Sequence, residues 1–406
     1  MSKIPTLRFK EFNGDWKENK FENIFNFSTG KNIKQNEASP EFEIPCVRYG
    51  ELYHMYNEII SNVINSTNLD KSELVFSQGN EILLPSAGED PLDIGSASAL
   101  TIPNIAIGRT INILRPLSDN VYSQKYVSYY INQKLRRTIS TLAKGSSISN
   151  VYNSDLKKLN IFLPSLIEQE KIASFLNQVD TKIEQLTKKE TLLKEYKKGV
   201  MQKIFSQEIR FRADDGSEFC EWEEKEIDSL VNLTLREVPK PNINYLAIGV
   251  RSHCKGTFQK PDSEPHKIAM DKLYQVKEND LIVSITFAWE SAIAIVKKED
   301  ENGLVSHRFP TYTFNKKVAI VDFFRYVIIQ KKFRFMLDLI SPGGAGRNRV
   351  MSKKDFLKLK WNMPCVEEQN KIANFLSSID TKIEQTQKQL EKTKEFKKAL
   401  LQQMFV

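Results

Sequence analysis

Two long stretches of the chain place an apolar residue at alternating four- and three-residue steps. In the first these are Ile172, Leu176, Val179, Ile183, Leu186, Leu193, Val200 and Ile204, interrupted at Glu190 and Lys197. In the second they are Ile372, Leu376, Ile379, Ile383, Leu390, Leu400 and Met404, interrupted at Thr386, Thr393 and Lys397. That spacing is a coiled-coil seam. It predicts two helices of about 40 residues, each about 60 Å long at about 1.5 Å per residue. Ser165 and Glu168, just after Pro164, form the S-x-x-E pattern of a capping box, and Cys365 replaces that serine in the second stretch. Elsewhere the pattern is short alternating runs broken by Gly, Pro and Asn, such as Ile82-Leu83-Leu84 and Ile111-Asn112-Ile113-Leu114. These predict strands, with a helix over 123–143. The second half repeats the order, with strands near 245–250, 281–287 and 291–297 and a helix over 319–340.

The two seams are copies of one another. Residues 164–185 and 364–385 share 14 of 22 positions at an offset of 200. Weaker echoes reach outward. Arg8-Phe9 with Trp16 matches Arg210-Phe211 with Trp222, and Tyr129, Gln133, Lys134 and Arg137 match Tyr326, Gln330, Lys331 and Arg334. A chain duplicated in this way is expected to divide into a first variable domain (1–163), a conserved helix (164–206), a second variable domain (207–350) and a second conserved helix (351–406). The expected fold is α+β: two α/β domains separated by two long antiparallel coiled-coil helices, related by an internal pseudo-two-fold repeat. The shared parts look structural, so differences in function belong to the variable parts.

Charge changes this picture only locally. The chain has 59 Lys+Arg against 51 Asp+Glu, a balance of +8. The two variable domains carry +1 each, the helices +2 and +4, so net charge does not mark the domains as nucleic-acid binders. Phosphate binding needs clusters rather than totals. Lys134, Arg136 and Arg137 form one cluster with Lys144, and Lys331, Lys332 and Arg334 another. The sharpest signal is the run Gly343-Gly344-Ala345-Gly346-Arg347-Asn348-Arg349, in which glycines allow close backbone approach and Arg347, Asn348 and Arg349 suit phosphates or base edges. Lys144, Ser146 and Ser147 stand at the corresponding place in the first half. Arg48, Tyr49, Arg109, Arg251, His253, Trp289, His307 and Arg308, placed near strand ends, complete the candidate DNA contacts. Ile172, Leu176, Val179, Ile183, Leu186, Ile372, Leu376, Ile379, Ile383 and Leu390 are the candidates for coiled-coil pairing and partner docking.

Several function classes find no residues to support them. There is no G-x-x-x-x-G-K-[ST] phosphate loop, no Pro-Pro pair for an amino-methyltransferase pocket and no H-E-x-x-H. The four histidines and four cysteines are scattered without metal-ligand spacing, so neither catalytic residues nor a metal are expected. Asp214 followed by Glu223-x-Lys225 has the look of a nuclease pattern, but such patterns are common in charged sequence. No run of about 18 apolar residues is present, and the start, Met-Ser-Lys-Ile-Pro-Thr, has no apolar leader segment. With cysteines this sparse, a cytoplasmic location is expected.

The two helices opening P-x-x-x-EQ-x-KIA-x-FL-x-x-x-D-x-K-I, at Pro164–Ile183 and Pro364–Ile383, together with Arg8-Phe9 and Arg210-Phe211, resemble the specificity subunits of Type I restriction–modification systems. The resemblance implies that each variable domain is a target-recognition domain reading one half of a bipartite, asymmetric double-stranded DNA site. It implies that the helices set the spacer and dock two modification subunits. Those partners would supply S-adenosylmethionine and methylate adenine, and restriction subunits would add ATP- and Mg2+-dependent translocation and cleavage. No cofactor is implied for this chain itself. The alternative is a non-catalytic coiled-coil adaptor that binds only proteins.

Overall fold

The short apolar runs pair into two larger sheets in each half of the chain, beside smaller two-stranded pairs, and the long seams become helices Leu166–Phe205 and Val366–Gln403. The computed structural model describes residues 4–145, 148–343 and 349–406. They form two compact units, Met1–Glu190 with Thr386–Val406, and Thr191–Gln385. The division cuts through both long helices, so each unit holds the first part of one and the last part of the other.

In the first unit a five-stranded sheet runs Phe25–Thr29, Ile111–Pro116, Glu81–Pro85, Ser98–Leu100, Ile59–Ile60. A four-stranded sheet runs Asn65–Thr67, Ile44–Val47, Pro103–Ile107, Phe76–Gln78. The central strand Ile111–Pro116 is apolar on both faces apart from Asn112, whose amide donates to the Val151 carbonyl at 3.0 Å, and Arg115, which pairs with Glu81 at 3.0 Å. The second unit has a four-stranded sheet, Val231–Leu233, Thr311–Phe314, Leu281–Val283, Ile293–Ile295. Its five-stranded sheet runs Glu237–Pro239, Lys272–Gln275, Leu304–Val305, Tyr245–Val250, Thr257–Ser263.

The helix expected over 123–143 forms, but with a π turn at Ile131–Leu135 between Gln124–Tyr130 and Arg136–Leu142. The Asn132 amide holds both the N–H and the carbonyl of Ala97, at 2.7 and 2.9 Å, which draws the helix out of register there. The helix expected over 319–340 is broken into Val321–Val327 and Lys331–Leu339. The break follows the β-branched run Val327-Ile328-Ile329, which resists helical packing, and Gln330 turns extended with its amide on the Tyr326 carbonyl.

The repeated residues build the same contacts in each unit. Glu168 does not turn back to complete a capping box: Ser165 Oγ accepts its N–H at 3.3 Å, while its carboxylate grips the Arg8 guanidinium at 2.7 and 2.8 Å. Glu368 grips Arg210 in the same way and also accepts the Trp222 indole N–H at 3.0 Å. Phe9 packs on Phe175 and Phe211 on Phe375. Gln169 ties the Pro164 carbonyl to the Ser123 N–H, and Gln369 ties the Pro364 carbonyl to the Ile320 N–H. The two lysines that interrupt the seams are ion-pair partners. Lys397 reaches Asp180 at 2.7 Å and Glu58 at 3.2 Å, with Tyr129 donating to Asp180. Lys197 reaches Asp380 at 2.5 Å, with Tyr326 donating to it. In the first unit Phe396 meets Phe175 and Gln387 meets Glu190, so the two helix segments run antiparallel there.

Candidate nucleic-acid interface

In the second unit the candidate residues converge on one loop. Residues 284–291 leave the central strand Leu281–Val283 and return to Ile293–Ile295. On one side of this loop the Ile285 N–H donates to the Arg308 carbonyl at 3.0 Å, and the Met351 N–H donates to the Ile285 carbonyl at 2.8 Å. On the other side the N–H groups of His253 and Cys254 donate to the carbonyls of Glu290 and Ser291, and Ser252 Oγ donates to the Glu290 carboxylate. Loops 251–254, 306–308 and 349–351 thus surround 284–291. His253, Cys254 and Ser291 all hold positive φ, 62°, 55° and 61°, a costly backbone state that surrounding structure must enforce. Trp289 lies under the Arg349 guanidinium at 5.2 Å. Arg349 is itself held by Asp338 at 2.6 Å and the Ser341 carbonyl at 2.9 Å. His307 and Arg308 are exposed, with no side-chain ion pair among the described residues. Arg251 is exposed over the Phe258 ring.

The first unit repeats the arrangement with different side chains. The Ser86 N–H donates to the Thr110 carbonyl and the Val151 N–H to the Ser86 carbonyl, the same two bonds made at Ile285. Strand Ala87–Gly88 pairs with Ser149–Asn150, and Lys144 bridges to Asn150 beside it. Arg109, beside Thr110, is therefore the counterpart of His307, beside Arg308. Arg48, Tyr49 and Arg109 line one cleft with Lys34 and His54. Arg48 is anchored by Glu51 at 2.8 Å, and Asn65 donates to the same carboxylate oxygen. Positive φ again marks the site, at Asn32 (48°), Ile33 (56°) and Thr110 (68°). Lys144 is exposed but ion-paired to Asp155 at 3.2 Å.

Ser146, Ser147, Arg347 and Asn348 lie outside the described residues. Of the others, Arg48, Lys144 and Arg349 have their charges partly answered within the chain, Arg109, Arg251 and Arg308 present theirs outward, and the His307 ring is exposed beside Arg308. Such a surface can hold phosphates through its cations and meet a base edge with the His307 side chain. Burial pushes the Cys254 thiol up to about 11, so it sits in this loop as a neutral packing group. Sequence reasoning missed Phe287, which stands exposed at the loop tip, and the Ser252–Glu290 bond that fixes its base. The alternation of Leu281–Val283 with a polar turn was the available signal.

The coiled-coil residues are placed otherwise. Ile172, Leu176, Val179, Leu186, Ile372, Leu376, Ile379, Ile383 and Leu390 are buried, and Ile183 is partly buried against the first unit's core. Burial of this kind fits their places along the two helix seams. Asp214 pairs with Lys371 and Glu223 with Lys225, and no cluster of metal-ligating side chains exists among the described residues. No described helix is long and apolar enough to cross a membrane.

The chain matches the family model for the Type I restriction modification DNA specificity domain twice, over residues 13–195 and 220–394. It is 26% identical over 311 residues to the putative type I restriction enzyme MjaX specificity subunit of Methanocaldococcus jannaschii, covering 72% of this chain and 70% of that one. The type I restriction enzyme MjaVIII specificity subunit of the same organism is 23% identical over 368 residues, 86% of this chain and 82% of the relative. The crystal structure of the Type-I restriction-modification system S subunit from M. genitalium shares the fold, with a TM-score of 0.61 at 17% identity over 99% of both chains. Two matched domains, one in each unit around one loop cluster, place the chain in the Type I restriction–modification DNA specificity family.

Proposed function

We propose that this chain is the DNA-reading subunit of a Type I restriction–modification complex, each unit recognising one half of a bipartite, asymmetric site on double-stranded DNA. The observation that carries the reading is the repeated loop cluster: one backbone frame in both units, presenting Arg109 in one and His307 with Arg308 in the other. A shared frame with unlike side chains is what two readers of unlike half-sites require. Cations hold phosphates and fix the register, while polar side chains on the loops meet base edges in the major groove.

In this reading the chain performs no chemistry. Two modification subunits dock on it, bring S-adenosylmethionine and methylate adenine, which must leave the duplex to be reached. Restriction subunits add ATP and Mg2+ for translocation and cleavage. The long helices set the gap between the half-sites. Methylation mapping of genomic DNA, with and without this chain beside its modification subunit, tests the reading. A split motif methylated only when the chain is present is expected, and exchange of residues 1–163 should alter one block of it. An unchanged methylome without the chain would sink the reading.

A further inference from the structure

The second unit carries a groove with aromatic walls and a cationic rim. Its walls are Met201, Phe205, Trp222 and Trp361, and its rim includes Lys198, Lys331 and Lys332. Lys198 and Lys331 are exposed and make no ion pair among the described residues. Lys332 stands over the Trp361 ring at 5.7 Å. Along the helix Lys331–Leu339, Phe335 and Leu339 follow Lys331 at steps of four and are 61% and 65% exposed. They continue the apolar strip from the groove on the same helix face.

The first unit differs here: its helix passes through Ile131–Leu135 as a π turn where the second unit's helix breaks at Gln330. At the positions matching Lys332, Trp361 and Ser206 it has Leu135, Ile161 and Val406, all packed into or against its core. Where the copies diverge, then, the second exchanges two apolar groups packed on the core for the exposed Lys332 and Ser206, and Ile161 for the larger, buried Trp361. Exposed aromatic area of this kind is a mark of interaction surfaces. Three lysines without carboxylate partners at its edge call for an acidic occupant.

We propose that this groove seats an acidic segment bearing a large apolar side chain, contributed by a modification subunit, and that it does so on the second unit alone. The proposal rests on the functional reading above. The apolar side chain packs in the groove against Met201, Phe205 and Trp222, and flanking carboxylates meet Lys198, Lys331 and Lys332. The one-sided groove makes the two modification subunits unequal in affinity although the scaffold is duplicated.

The test uses the full chain with its cognate modification subunit, purified separately, with stoichiometry read by native mass spectrometry and affinity by titration. Charge reversal at Lys331→Glu with Lys332→Glu, or blockage by Ser206→Trp, should weaken binding of one modification subunit at least tenfold and leave complexes with a single copy. Split-site DNA binding by the Ser206→Trp chain should stay unchanged. Unaltered affinity and stoichiometry in both groove variants would overturn the proposal, as would loss of DNA binding with assembly intact. A wild-type chain that binds DNA specifically but shows no difference among variants defeats the groove alone. One that binds neither DNA nor modification subunit defeats the functional reading as well.

Discussion

Lys397 is the residue at which the helix seam gives way to charge. Its ammonium is 18% exposed and faces two carboxylates, Asp180 and Glu58, each 16% exposed. Burial alone would pull its pKa down, but Glu58 and Asp180 hold it above the ordinary lysine range. Removing one partner of a buried ion cluster leaves the others uncompensated, which costs about 3–5 kcal/mol. Lys397→Met should therefore lower the stability of the first unit by about 3 kcal/mol in urea unfolding. Lys197→Met should cost less, about 1 kcal/mol, because among the described residues Lys197 is ion-paired only with Asp380, which is 34% exposed and screened by solvent. Because the folded-state pKa of Lys397 is raised, its contribution is complete below about pH 10.4 and is lost as the pH rises through the folded value. The wild-type advantage over Lys397→Met should accordingly hold from pH 7 to about 10 and shrink above it. At the interface, Arg308 carries an outward charge on a carbonyl-anchored backbone. Arg308→Ala should weaken binding about tenfold, from the roughly 1–3 kcal/mol of a base-edge contact. Competition against duplexes altered in one half-site should show the loss confined to the half read by the second unit.

At the scale of the element, the glutamines of the repeated P-x-x-x-EQ pattern explain why that pattern recurs. Gln369 is fully buried and satisfies the carbonyls of Pro364 and Val318 together with the Ile320 N–H. It therefore joins the start of one long helix to the start of Val321–Val327. Gln369→Ala would strand three buried backbone groups, so a loss of about 2 kcal/mol is expected, within the roughly 1–3 kcal/mol of an unmet buried group. Hydrogen exchange should show the Ile320 amide losing protection, with Ser123, held by Gln169 in the first unit, unaffected. The helices themselves were legible because their seams are long and periodic. Their interruptions were not, since a lysine at 397 or 197 looks like a defect until Asp180 and Asp380, some 200 residues distant, are brought beside it. The capping box misled for a similar reason: Glu168 has the right local spacing, and Arg8, from the far end of the chain, competes for it successfully. The break after Val327-Ile328-Ile329 was written in β-branching, but the apolar periodicity on either side concealed it.

Over the whole molecule, duplication made the architecture readable and left the recognition surface hard to read. Identical residues at an offset of 200 expose the frame, whereas Arg109 and His307 occupy equivalent places with no likeness to show it. Their equivalence appears only in the paired bonds at Ser86 and Ile285. The frame also yields a prediction about length. Each long helix begins in one unit and ends in the other, so residues added at the crossing points lengthen the connection without touching either loop cluster. Seven residues inserted after Glu190, with seven more after Gln385, preserve the heptad phase of both seams. Each insertion adds about 10 Å at about 1.5 Å per residue, close to three base pairs at about 3.4 Å each. If the helices set the gap, the lengthened chain should direct methylation to the same two blocks separated by about three more base pairs. An insertion of two residues breaks the seam phase and should abolish specific methylation instead of moving it. Retention of the original spacing in the seven-residue variant would show that the gap is set elsewhere, while a change in either block would show that the loops and helices do not act independently.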